Sequence, residues 1–266
     1  MAFKVSGVPF HMWTPDVYEG APTPVTAFFA VAPKIAALTL FIRVMMEPFG
    51  GAADSWQQVV IFISVASMIL GAVAAVAQKN IKRLMAYSSI GHVGYALIGL
   101  CVANEAGVRG ILIYLAIYLV MNVGAFACIL QMRDGQGRPV ETIASLAGLS
   151  QSRKGLAAAF AIFMFSMAGI PPLFGFWAKF LVFDAAVAAD LTALAAFGIA
   201  ASVIGAFYYL KVIKTIYFDE PAAAYEAKGG VIENIILTAC AVVIVFGYLL
   251  NPALDAVSAA AAASLF

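Results

Sequence analysis

The stretch 155–189, GLAAAFAIFMFSMAGIPPLFGFWAKFLVFDAAVAA, decides what kind of protein this is. Only Lys179 and Asp184 in it are charged. A straight helix over the stretch would run about 52 Å, against about 30 Å of hydrocarbon in a bilayer. Its centre, Gly169-Ile170-Pro171-Pro172 followed by Gly175, cannot continue a helix, because proline lacks the N–H donor and its ring clashes with the preceding turn. The stretch therefore reads as a transmembrane helix broken in the middle. Such breaks persist in lipid only where protein or a water-filled cavity satisfies the freed backbone. Lys179 stands just past the break, and a basic residue beside a mid-membrane discontinuity is a common arrangement at ion sites.

Working outward, the whole chain has the same character. Of its 266 residues 64% are hydrophobic and 11% charged, with a mean hydropathy of +0.99. Soluble domains carry about 25% charged residues, so lipid is the solvent for most of these side chains. A net charge of +1 excludes nucleic acid as a partner on electrostatic grounds. Cys101, Cys128 and Cys240 sit far apart in apolar sequence and read as small buried hydrophobes. With no dinucleotide, phosphate-loop or haem-attachment motif, no cofactor bound by this chain is expected.

Apolar runs of about 20 residues place spans near 24–46, 57–78, 82–103, 108–132, 155–189 (broken), 192–218 and 231–250. Residues 1–23 form a proline-rich segment before this seven-span domain, and 251–266 a C-terminal tail. The fold class is all-α, a polytopic membrane protein with discontinuous helices. Lysine and arginine set the orientation. The connections after the second, fourth and sixth spans hold Lys79, Lys82, Arg83, Arg133, Arg138, Arg153, Lys154, Lys211, Lys214 and Lys228, whereas the opposite face holds Arg43 and Arg109. That imbalance puts the even connections in the cytoplasm and the C-terminus outside.

Lys4, Lys34 and Lys179 remain, within or beside apolar sequence. Lys34 lies about ten residues, or about 15 Å, into its span, near the midplane. A lysine there costs at least about 2.5 kcal/mol to insert. Burial also disfavours a charged ammonium, so Lys34 is a candidate proton carrier, the alternative being a structural lysine paired with a carboxylate. His92 lies at a similar depth among Ser88, Ser89, Gly91, Gly94 and Tyr95, a small and polar setting that suits a relay as well as a packing histidine. Pro33 leaves the carbonyl of Phe29 without its helical donor beside Lys34. Among acidic residues Glu233 sits at the start of the last span, where the helix dipole favours it, and only Asp184 falls further inside one, so Lys4 and Lys34 have no evident carboxylate partner in the sequence. Gly7-Val8-Pro9 also echoes Gly169-Ile170-Pro171, as paired interruptions do in inverted-repeat transporters.

At these residues the chain resembles a known family. FKVSGVPFHMWTPDVYEGAPTPVTAFFAVAPKIAAL, residues 3–38, closely resembles the seventh and eighth spans of the subunit N family of bacterial respiratory complex I, the proton-pumping NADH:quinone oxidoreductase. NIKRLMAYSSIGHVGYALIG and MAGIPPLFGFWAKFLVF are similar to its tenth and twelfth spans. The resemblance covers essentially the whole chain, and WTPDVYEGAPTPV favours this family over its sister antiporter-like subunits.

The resemblance implies an antiporter-like helical bundle of two inverted repeats, each with a broken helix, and a polar axis along the membrane. By motif it aligns Lys4 with the lysine of the first broken helix, Lys34 with the connecting lysine and His92 with the relay histidine. Lys179 matches the lysine of the second broken helix, and His11 the histidine of the VPFH motif. It further implies a multi-pass protein of the bacterial inner membrane with a periplasmic C-terminus. Other complex I membrane subunits, including neighbouring antiporter-like subunits, would be its partners. NADH, FMN, iron–sulfur clusters and quinone would reside in partner subunits, making this a translocase subunit whose redox chemistry lies elsewhere. In the family the first broken-helix lysine pairs with a glutamate further upstream, so the chain reads as a fragment or as carrying a misassigned start. The alternatives are a subunit of a multi-subunit cation/proton antiporter and an inert truncated scaffold.

Overall fold

The computed structural model describes residues 1–222 and 229–266; Glu226 and Lys228, placed by sequence in a connection, lie outside the described residues. The described residues are mostly helical, with isolated bridges and no strands among them. Two short helices, α1 (Ala2–Val5) and α2 (Trp13–Gly20), precede α3 (Thr23–Met46), α4 (Ala53–Val76), α5 (Ile81–Val102) and α6 (Glu105–Leu130). After a connection and the short α7 (Leu149–Ser152) come α8 (Lys154–Ala168), α9 (Phe174–Ala188), α10 (Thr192–Phe218), α11 (Val231–Phe246) and α12 (Asn251–Ala263). Helices α3, α4, α5, α6 and α10, together with the continuous stretch of α11 and α12, are long and apolar enough to cross a membrane.

Local sequence explains the boundaries. Pro24 occupies the first turn of α3, where its missing N–H costs nothing. Asn80 caps α5 by accepting from the backbone N–H groups of Lys82 (2.8 Å) and Arg83 (3.2 Å), and Asn104 caps α6 through Gly107 (2.9 Å). The stretch 155–189 forms two helices of 15 residues each, α8 and α9. Helix α8 ends on Gly169 at φ 84°, a left-handed conformation that glycine adopts without penalty. Ser166 Oγ then accepts from the N–H of Gly175 at 3.0 Å, joining the two halves across the break. A Cβ at position 175 would collide with the Ser166 carbonyl, so this approach requires glycine.

Residues 251–266, read from sequence as a C-terminal tail, are largely the helix α12. Pro252 sits in the first turn of α12, the alanine run favours helix, and Arg109 on α6 pairs with Asp255.

Helix α5 is the axis. Nearly every residue from Ile81 to Val102 is buried, with α2, α3, α4, α6, α9 and α10 around it. Helix α4 approaches it closely because Gly71 faces the backbone of Gly91, where a Cβ would come within 2.6 Å of the Gly91 nitrogen. Small residues permit such contact in membranes, where packing rather than water expulsion holds helices together. The outer faces expose Phe28, Phe62, Phe197, Val203 and Phe207, as a lipid-facing surface should.

Candidate functional site

A cluster of buried polar side chains lies on and against α5. Lys34, 1% exposed, reaches from α3, and its Nζ donates to Ser89 Oγ on α5 in a short hydrogen bond. Ser89 shares a 2.7 Å hydrogen bond with the Tyr118 hydroxyl of α6, which in turn donates to the Ala30 carbonyl at 3.2 Å. With Tyr118 donating to a carbonyl, Ser89 is left to donate to Tyr118 and to accept from Lys34, an ordered donor chain. The Tyr18 ring lies 5.5 Å from the ammonium, within the range where an aromatic face attracts a cation.

One turn along α5, both nitrogens of His92 meet tyrosine hydroxyls: Nδ1 faces Tyr114 at 2.5 Å and Nε2 faces Tyr209 at 3.2 Å. A neutral imidazole donates through one nitrogen and accepts through the other, which suits a relay between two hydroxyls. Tyr209 also bonds Ser88, and the Tyr118 ring packs 5.4 Å from the imidazole, bringing the histidine against the Lys34 branch.

On the other side, the Tyr95 ring packs edge-on to His92 at 6.0 Å, and Lys179 Nζ sits 4.7 Å from the Tyr95 ring centroid. Lys179, 6% exposed, donates to Ser202 Oγ on α10 at 2.8 Å and to the Ala168 carbonyl at 3.1 Å. Ala168 ends α8, so the break provides the acceptor. A cleft of about 560 Å³ opens beside Lys179, lined by Gly169, Phe176, Asp184, Val187 and Ser202 among others.

Lys34, His92 and Lys179 are thus brought together by the rings of Tyr118 and Tyr95, with hydroxyl hydrogen bonds around each of the three. Among the described residues neither lysine has a carboxylate ion pair. Lys4 stands apart, with an exposed side chain. His11 is also apart, half-buried, with Nδ1 lacking a hydrogen-bond partner among the described residues. The tyrosines at 114, 118 and 209 and Ser202 escaped the sequence reading. Lys82 did as well: placed by sequence in a basic connection, it is 2% exposed and bonded to Glu141 Oε1 at 2.6 Å. No cluster of metal-ligating side chains occurs among the described residues.

Residues 1–205 match the model of a family described as NADH:quinone oxidoreductase/Mrp antiporter, transmembrane. The chain belongs to this family. Across its whole length it is 61% identical to NADH-quinone oxidoreductase subunit N of Rhizorhabdus wittichii, covering 56% of that protein. It is also 61% identical to the subunit N of Rhodospirillum rubrum, covering 55%. Among solved structures it resembles a chain of respiratory complex I from Thermus thermophilus with bound aureothin. There identity is 32% and the TM-score 0.82, over 95% of this chain and 56% of that one. The Mrp complex from Dietzia sp. contains a chain 25% identical with a TM-score of 0.88, over 99% of this chain and 57% of that one. The chain therefore spans little more than half the length of the relatives it matches.

Proposed function

We propose that this chain is a proton-carrying membrane part of an NADH:quinone oxidoreductase, moving protons along Lys34, His92 and Lys179. The observation that carries the reading is two buried ammonium groups flanking a histidine through hydroxyl and ring contacts, neither in an ion pair among the described residues. An ammonium held only by neutral dipoles can release its proton without stranding a buried carboxylate, the costly outcome in low dielectric. A proton leaving Lys34 passes to Ser89 and Tyr118, water carries it across the ring contact between Tyr118 and the imidazole, and His92 accepts and re-donates between Tyr114 and Tyr209. Water beside the Tyr95 ring passes it on to Lys179, which releases it towards the cleft. Lys4 and His11 belong to the first interrupted segment and are assigned to delivering protons towards Lys34.

Partner membrane subunits, including neighbouring antiporter-like ones, would adjoin the chain in a bacterial inner membrane. They and the peripheral subunits would hold NADH, FMN, iron–sulfur clusters and quinone. The basic connections would face the cytoplasm and the C-terminus the periplasm. The test is Lys179→Ala in the full-length protein within its complex, with proton uptake by inverted vesicles measured beside NADH oxidation. Translocation per NADH should fall while the complex still assembles. Unchanged translocation would overturn the proposal.

The fit to the Mrp chain, at a TM-score of 0.88, favours a second reading, a cation/proton antiporter subunit. Sodium-dependent proton exchange without co-purifying flavin and iron–sulfur subunits would select it.

A further inference from the structure

The groove between α8 and α11, separate from Lys179's cleft, has a volume of about 580 Å³ and two chemically distinct ends. At one end are Arg153 and Lys154, where α8 begins, with Gln131 and Asn234. Arg153 is held in place: it donates to the Gln131 carbonyl at 3.3 Å and to Gln131 Oε1 at 2.6 Å, and Gln131 in turn donates to Asn234 at 3.0 Å. Lys154 is exposed at the rim. Beyond this polar end the walls are apolar, with Ala159 and Ile162 from α8 and Leu237, Ala241 and Val245 from α11.

The length of the groove identifies its occupant. It runs along α11 from Asn234 to Phe246, twelve residues or about 18 Å, close to one leaflet of a bilayer about 30 Å thick. It stops where α11 gives way to the turn Gly247–Leu250, whose Tyr248 hydroxyl donates to the Leu173 carbonyl at 3.1 Å. An acyl chain of one leaflet matches that length, and the cationic end matches a phosphate. The cations stand at the depth of the headgroups and the apolar walls at the depth of the tails. We infer that this groove binds an anionic phospholipid, its phosphate held by Arg153 and Lys154 and one acyl chain laid between α8 and α11. Basic pockets between helices on the cytoplasmic side recognise such headgroups, and a planar guanidinium matches phosphate geometry.

The test uses the full-length protein in its complex, reconstituted in vesicles with phosphatidylglycerol carrying a photoreactive diazirine in one acyl chain. A second sample carries phosphatidylcholine with the same chain. Labelled peptides are mapped by mass spectrometry. Phosphatidylglycerol should label residues 156–162 and 237–246 in preference to phosphatidylcholine. Labelling should drop about fivefold for each cation removed by Arg153→Gln or Lys154→Ala. Because Arg153 also ties α8 to Gln131, the exposed Ala158→Phe, which fills the groove and leaves the charges in place, gives an independent loss. Equal labelling by both lipids, an unlabelled groove covered by another protein, or labelling unmoved by Lys154→Ala and Ala158→Phe would each overturn the assignment.

Discussion

Two lysines on or against α5, Lys82 and Lys34, are almost equally hidden, at 2% and 1% exposure, yet are held in opposite ways. Lys82, in the first turn of α5, donates to Glu141 at 2.6 Å and to the Ala21 carbonyl at 2.7 Å. The second oxygen of Glu141 accepts from Asn80 at 3.2 Å. Lys34, midway along α3, has a serine hydroxyl and an aromatic face. Burial alone therefore does not mark a proton carrier. A lysine clamped to its carboxylate stays charged and ties segments together; one supported by hydroxyls can change charge. Lys179, with Ser202, a carbonyl and the Tyr95 ring, belongs with Lys34.

The largest expected effect separates these classes. Lys34→Ala or Lys179→Ala should cut proton translocation by about a hundredfold or more, the low end of what a positioned proton-transfer group contributes. Lys82→Met should leave translocation within about twofold, because no step of the relay uses it. It should instead destabilise the protein by about 1–2 kcal/mol. Breaking a fully buried pair costs more, but Glu141 is 22% exposed and retains some hydration. Thermal unfolding of the purified protein reads the second effect as a fall of a few degrees. If Lys82→Met abolished translocation in a normally stable protein, the distinction between clamped and free lysines would be lost.

A sharper version converts one class into the other. Ser89→Asp would give Lys34 the counter-ion that Lys82 has, replacing the hydroxyl that now accepts from its ammonium. Translocation should fall several-fold, more than with Ser89→Ala, which removes the hydroxyl but pins no charge. Full activity in Ser89→Asp would show that a fixed carboxylate does not hinder release from Lys34.

How much of this was legible in the sequence follows from distance along the chain. The break in 155–189 was visible because Gly169, Pro171, Pro172 and Gly175 act locally, and Lys34, His92 and Lys179 stood out because charge and polarity are rare in apolar runs. Lys82 was misjudged because Glu141 is 59 residues away and reaches α5 only through a folded-back connection, anchored by Ile81 N–H to the Glu141 carbonyl at 2.8 Å. The tyrosines were hidden differently. Each alone reads as an ordinary core aromatic, and only the packing of α6 and α10 on α5 brings Tyr114, Tyr118 and Tyr209 to one histidine and two serines. The one available signal was the four-residue spacing of Tyr114 and Tyr118, which places both on one face of α6. Lys4, singled out by its apolar neighbours and its motif, lies exposed, a placement that depends on what packs against α1 rather than on the residues beside it.

The smallest effect is expected at the joint between the two lysine environments. Tyr209 bridges His92 Nε2 at 3.2 Å and Ser88, so Tyr209→Phe removes one hydroxyl and leaves the ring packed against Tyr208 at 4.2 Å. His92 keeps Tyr114 on its other nitrogen, and Lys34 and Lys179 keep every partner named for them. Losing a hydrogen bond of about 1 kcal/mol from the relay corresponds to about a fivefold change at most. A water admitted beside the phenyl ring would reduce this, so a twofold to threefold fall in translocation is expected. Tyr114→Phe, which removes the shorter contact, should cost somewhat more, and the double variant should exceed the product of the two because His92 would then have no hydroxyl on either side. If the double variant behaved like either single one, protons would be passing between Lys34 and Lys179 without using the imidazole, and His92 would be a packing residue beside the path.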